Sequence, residues 1–119
     1  MMTDRELLEM AAKAAGYDTS HHWNAERMSL KPPVIGLCIP NVGNFWNPLE
    51  DSGHALNLAA SLRLFMIFTG RTVRVHKAGR DCKLAIEELG LDGEAATRRA
   101  IVRAAAELVM GIKAGKEMG

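Results

Sequence analysis

Aromatic side chains are scarce in this chain: three Phe, two Trp and one Tyr among 119 residues. A core of this composition is filled by smaller groups, chiefly Ala with Leu, Ile, Val and Met, which favours helices packed closely on a sheet. Cysteine is scarcer still. Cys38 and Cys82 are too few for a disulfide framework, and both fall in apolar strand-like patterns where a free thiol acts as a small hydrophobe. No apolar run approaches the roughly 20 residues of a membrane span, and the charged start, Asp4-Arg5-Glu6, does not suit a signal peptide. The expected compartment is the cytoplasm. Charge of one sign is also lacking. A net charge of +1 argues against non-specific nucleic-acid binding, so an electrostatic partner must be met by a local patch.

Motifs of catalysis and metal binding are missing as well. The four histidines include no H-x-x-x-H or H-E-x-x-H, and the cysteines form no C-x-x-C. G-x-S-x-G, Walker A and G-x-G-x-x-G are absent. Glu50 and Asp51 are adjacent, but neighbours on a helix point about 100° apart, so they read as helix N-terminal charges rather than an acid/base pair. Strand alternation puts His76 and Cys82 on opposite faces of one hairpin, which argues against a dyad. The expectation is a non-enzymatic protein without cofactor or metal.

The residues that are present describe one α+β domain over 1–119. Thr3-Asp4-Arg5-Glu6 fits a capping box, and Leu7, Leu8, Ala11, Ala12 and Ala15 follow at helical spacing, giving a first helix over 3–15. Residues 17–33 have no clean period and read as a loop, with room for a short edge strand near 26–30. "VIGLCI" (34–39) reads as a strand, ended by Pro40, Asn41, Gly43 and Asn44. Asn47 as cap with Pro48 and Glu50 after it, or Asp51 or Ser52 a turn later, starts a second helix over about 50–63. "LFMIF" (64–68) is apolar on both faces, as a central strand would be. "TVRVHK" (72–77) and "CKLAIEE" (82–88) alternate with a period of two. A third helix runs over about 94–113, and a frayed tail follows at 114–119. The order α-β-α-β-β-β-α implies a small, mainly antiparallel sheet of three to five strands flanked by three helices.

With these elements placed, the chain resembles small accessory proteins of tailed bacteriophages, namely the ABA-sandwich domain and nin-region X protein families. The resemblance rests on "TDRELLEMAAKAAG" at the start, "WNPLEDSGHALNLAASLRL" in the middle and "EAATRRAIVRAAAEL" near the end. It includes an Asn-Pro-x-x-Asp-x-x-x-Ala step, and His54 stands where many of those proteins carry Asp. The resemblance skips residues 17–44. It implies a phage protein acting in the cytoplasm of the infected bacterium, and it implies no particular activity.

The most suggestive chemistry is a cationic strand face. If residues 78–81 join the two strands directly, Lys77 faces Cys82, His76 faces Lys83 and Arg74 faces Ala85, with Arg71 and Arg80 at the strand ends. Valines, Leu84 and Ile86 then turn inward. Adjacent like charges cost stability, so such a cluster invites an anion, and Arg offers planar bidentate donors to phosphate. The same charges also read as a solvated surface partly balanced by Asp81, Glu87 and Glu88. Arg98, Arg99 and Arg103 read as an exposed helix face, with Glu107 offsetting Arg103. Trp23 and Trp46 bracket the strand at 34–39 and either form a stacking platform for a base or bury in the core or a homodimer interface; burial is the favoured reading. The expected ligand-binding set is thus Arg71, Arg74, His76, Arg80, Lys83 and Trp46. The expected partner is a host protein or a small anionic ligand such as a nucleotide, captured by a homo-oligomer that blocks or sequesters a component of an anti-phage defence system. A protein–protein adaptor using the Trp23/Trp46 region or the Ala-rich last helix is the alternative. Neither a nucleic-acid nor a membrane partner is expected.

Overall fold

A computed structural model describes the backbone of residues 2–80 and 83–118, with side chains through residue 111. The chain is α+β, with four helices and two small antiparallel sheets among the described residues. The helices are α1 (Asp4–Ala14), α2 (His22–Met28), α3 (Ser52–Leu62) and α4 (Gly93–Met118). Strands β1 (Leu37–Ile39) and β2 (Gly43–Trp46) form one hairpin. β3 (Leu64–Phe68), β4 (Thr72–Lys77) and β5 (Lys83–Glu88) form a three-stranded sheet in the order β3-β4-β5.

Local chemistry accounts for most starts and stops. The capping box of α1 is formed in full: Thr3 Oγ1 accepts from the Glu6 N–H, and the Glu6 carboxylate accepts from the Thr3 N–H. Asn47 does not open the next helix. Its carbonyl accepts from the N–H groups of Glu50 and Asp51, so Asn47-Pro48 makes one separate turn. Asp51 then caps α3 by accepting from the His54 N–H at 2.9 Å, and that hydrogen bond is the first cause holding the Asp51 carboxyl below its ordinary value. Arg63 in the left-handed region (φ 56°) turns α3 into β3 with no intervening loop.

Helix α4 is the centre of the molecule. It packs against α1, α3, β4 and β5, and its small side chains Ala100, Ala104, Ala105 and Ala106 are fully buried. Leu8, Leu37, Trp46, Leu58, Val73 and Val75 complete the core around it. The close approach of four elements to one helix is what the scarcity of aromatics and the wealth of Ala permit. No helix among the described residues is long and apolar enough to cross a membrane.

The structure corrects several expectations. The stretch read as loop, with an edge strand near 26–30, contains α2. Its cap is His21, whose Nδ1 accepts from the Trp23 N–H, and His is not among the usual cap residues. β2 follows β1 through a turn in which Asn41 takes φ 67°, where the sequence indicated only the end of a strand. β3 is an edge strand rather than a central one: Phe65, Ile67 and Phe68 are exposed. α4 continues past Lys113, the expected helix end.

Candidate functional site

The three-stranded sheet has one covered face and one open face. β4 alternates as read: Val73 and Val75 are completely buried against the helices, while Thr72, Arg74 and His76 point the other way. No element among the described residues packs on that second face, since α4 meets β4 and β5 from the Val73/Val75 side.

The pairing of β5 departs from expectation by one residue. His76 faces Lys83 as expected, but Val75 faces Ala85 and Arg74 faces Ile86, with an irregularity between. One extra residue, Leu84, is accommodated as a bulge, which shifts the alternation on one strand only. Ala85 therefore turns inward (5% exposed) and Ile86 outward (40%), the reverse of the expected assignment. The expected Lys77–Cys82 pair and the Asp81 charge lie outside the described residues.

The open face is consequently amphipathic rather than purely cationic. Arg74 lies between Ile67 of β3 and Ile86 of β5, and His76 between Phe65 and Lys83. The Phe65 and His76 rings stack at 5.3 Å between centroids and 13° between planes. Arg74 Nε and His76 Nε2 have no hydrogen-bond partner among the described residues, although neither atom reaches solvent. An unpaired buried donor or acceptor costs free energy, so these two atoms are the strained points of the face. No carboxylate among the described residues pairs with Arg74, His76 or Lys83. Glu87, read as a balancing charge, is on the covered face and bonds Arg103 instead. Glu88 shares the open face but stands opposite Thr72.

Of the expected binding residues, then, Arg74, His76 and Lys83 converge. Arg71 and Arg80 do not join them: they sit in the turns at opposite ends of β4, both exposed. Trp46 is remote in function, being 1% exposed in the core with its ring edge-on to Tyr17 at 5.5 Å, so it offers no stacking surface. Trp23 is 42% exposed; it neighbours His21 and His22, not Trp46. Phe65, Ile67 and Ile86 are the contributors that sequence reasoning missed. For Phe65 and Ile67 a signal existed in the doubly apolar "LFMIF", which an edge strand exposes on one side.

The second basic group is structural. Arg98 Nε donates to the Leu49 carbonyl and its Nη1 to Ser52 Oγ. Arg99 pairs with Asp4 at 3.1 Å, and Arg103 with Glu87 and the Ile86 carbonyl. These three arginines fasten α4 to the start of α3, to α1 and to β5. A groove of 550 Å³ lined by Met2, Leu7, Leu84, Arg99, Arg103 and Met110 lies among these same contacts. Its cations are already paired, so it offers an anion little. No group of three His, Cys, Asp or Glu side chains able to hold a metal occurs among the described residues.

Comparison with protein-family models, with curated proteins and with solved structures finds no match to this chain.

Proposed function

We propose that this protein is a non-catalytic binding module that captures an anionic component of its host through the open face of the β3-β4-β5 sheet. A flat anionic ligand such as a nucleotide, whose base lies on Phe65 and Ile67 while its phosphate meets Arg74 and Lys83, fits this surface best. In the setting implied by the phage resemblance, capture sequesters a nucleotide signal of an anti-phage defence system. The carrying observation is the Arg74–His76 pair, whose Nε and Nε2 have no partner among the described residues, set among exposed apolar side chains that no described element covers. A guanidinium beside apolar walls recognises phosphate in a lower dielectric than bulk water, where each contact counts for more.

Calorimetry against cyclic and linear nucleotides, with inorganic phosphate as control, tests the reading. Binding that disappears in Arg74→Glu and weakens in Phe65→Ser is expected. No heat with any nucleotide, or binding untouched by Arg74→Glu, overturns it.

A protein–protein adaptor is the second reading, favoured by a separate exposed patch. The Arg27 guanidinium lies 4.3 Å from the Phe45 ring and 5.5 Å from the Trp23 ring, with Met28 and Leu30 exposed nearby in sequence. Exposed aromatics with Arg are common at interfaces. In α4, Ala100, Ala104, Ala105 and Ala106 are buried in the core, so those four alanines offer no contact surface. A host protein recovered in fixed ratio by the parent chain but not by Trp23→Ser supports the adaptor; equal recovery by both removes it.

A further inference from the structure

The free edge of β3 is built to pair with itself, and we infer that two copies of this chain associate there into one continuous six-stranded sheet. The first observation is the direction of the backbone hydrogen bonds. Thr69 N–H donates to the Thr72 carbonyl at 2.9 Å, and Ala78 N–H to the Arg63 carbonyl at 3.0 Å. Between these ends β3 and β4 pair without interruption from Leu64↔Lys77 to Phe68↔Val73. In an antiparallel ladder hydrogen-bonded and non-hydrogen-bonded pairs alternate. Residues 63, 65, 67 and 69 therefore bond β4, while the N–H and C=O groups of Leu64, Met66 and Phe68 point to the free edge.

A two-fold axis normal to the sheet at Met66 then satisfies all of them. Met66 meets Met66 of the partner, and Leu64 meets Phe68 of the partner in both directions. Every residue in those pairs directs its backbone outward, so six new hydrogen bonds form with none left over. A shift of one residue would set outward groups against inward ones and lose this match. The interface is isologous and closed, as two-fold contacts are.

Side chains and charge agree with the same register. On the open face Phe65 stands opposite Ile67 of the partner, twice. These are non-hydrogen-bonded pairs, whose side chains approach most closely, and Phe65 and Ile67 are exposed (44% and 37%) in the single chain. "LFMIF" contains no Lys, Glu or Pro and β3 has no bulge, the usual devices that keep an edge from pairing. The flanking charge Arg63 falls opposite Thr69 of the partner rather than opposite another Arg63, so like charges stay apart. The two open faces become one surface, with the paired Phe65 and Ile67 side chains between two Arg74–His76 clusters.

Sedimentation equilibrium of the full chain without any ligand tests the inference independently of the proposed binding activity. A dimer is expected at about 100 μM, with Ile67→Lys and Phe65→Lys each weakening association about tenfold or more while leaving the far-UV circular dichroism unchanged. Register is read by thiol trapping with Cys82 replaced by Ser. Oxidising a mixture of Phe65→Cys and Ile67→Cys chains should give a mixed disulfide dimer, because those positions lie within bridging distance across the axis. Each chain oxidised alone should give little. A monomer at that concentration, a dimer indifferent to both lysines, or Phe65→Cys chains that link to one another as readily as to Ile67→Cys chains would each overturn it.

Discussion

The two faces of the β3-β4-β5 sheet are made by the same alternation and have opposite fates. On one, Val73, Val75 and Ala85 are buried under α4. On the other, Phe65, Ile67 and Ile86 remain 37–44% exposed around Arg74 and His76. The covered face is explained by folding alone: small apolar side chains removed from water stabilise the domain at roughly 25 cal/mol per Å². Folding does not account for the open one. A solvated face of an antiparallel sheet is ordinarily polar, whereas this one keeps three large apolar side chains in water and two unpaired polar atoms out of it. That contrast is the physical basis for placing function there.

The largest expected effect comes from breaking the covered face. Val75→Asp sets a carboxylate at a site with no solvent access, a cost the domain cannot absorb, and the cooperative thermal transition should vanish. Next is a contact that anchors the region around α2. Arg5, 6% exposed, donates to the carbonyls of Asn24, Val34 and Ile35 and pairs with Glu9. Arg5→Ala leaves buried carbonyls unpaired and should lower the unfolding free energy by about 3 kcal/mol in urea titration. Asp51→Ala removes the cap of α3 and should lower the melting temperature by a smaller amount. The sign of its pH dependence follows from the depressed carboxyl: the native state favours the ionised form, so the stabilisation is present above the unfolded value and is lost as pH falls through the lower native one. The gap between parent and Asp51→Ala should therefore close in acid. Smallest of all, Ile67→Ser should leave stability within about 0.5 kcal/mol, measured at concentrations low enough to keep the chain monomeric. A large loss there would mean that the open face contributes to folding, and the contrast would fail.

The parts of this fold legible in the sequence are those set by near neighbours. The capping box at Thr3–Glu6 and the alternation through 72–77 need only residues a few positions apart. What escaped depends on distant partners. α2 is two turns long and is held by Asn24, whose side chain bonds the Thr19 carbonyl and both backbone groups of Cys38; nothing within residues 22–28 announces that. The bulge at Leu84 lies in a strand that packs on α4, and it moves Ile86 to the open face. The rank of β3 as an edge depends on strand order, which an apolar pentapeptide does not encode. Of the candidate site, the Arg74–His76–Lys83 cluster was legible because alternation fixes it. Its apolar flanks were not, and Trp46 was included as half of a stacking platform with Trp23, whereas Trp46 packs on Tyr17 in the core and Trp23 lies beside His21 and His22.

The most direct test of the open face as the working surface is a nitrogen–proton correlation spectrum recorded during titration with cyclic and linear nucleotides. Shifts concentrated at Phe65, Ile67, Arg74, His76, Lys83 and Ile86 are expected. Shifts gathered instead along the groove between Leu7, Arg99 and Arg103, or no shifts with any nucleotide, would contradict it.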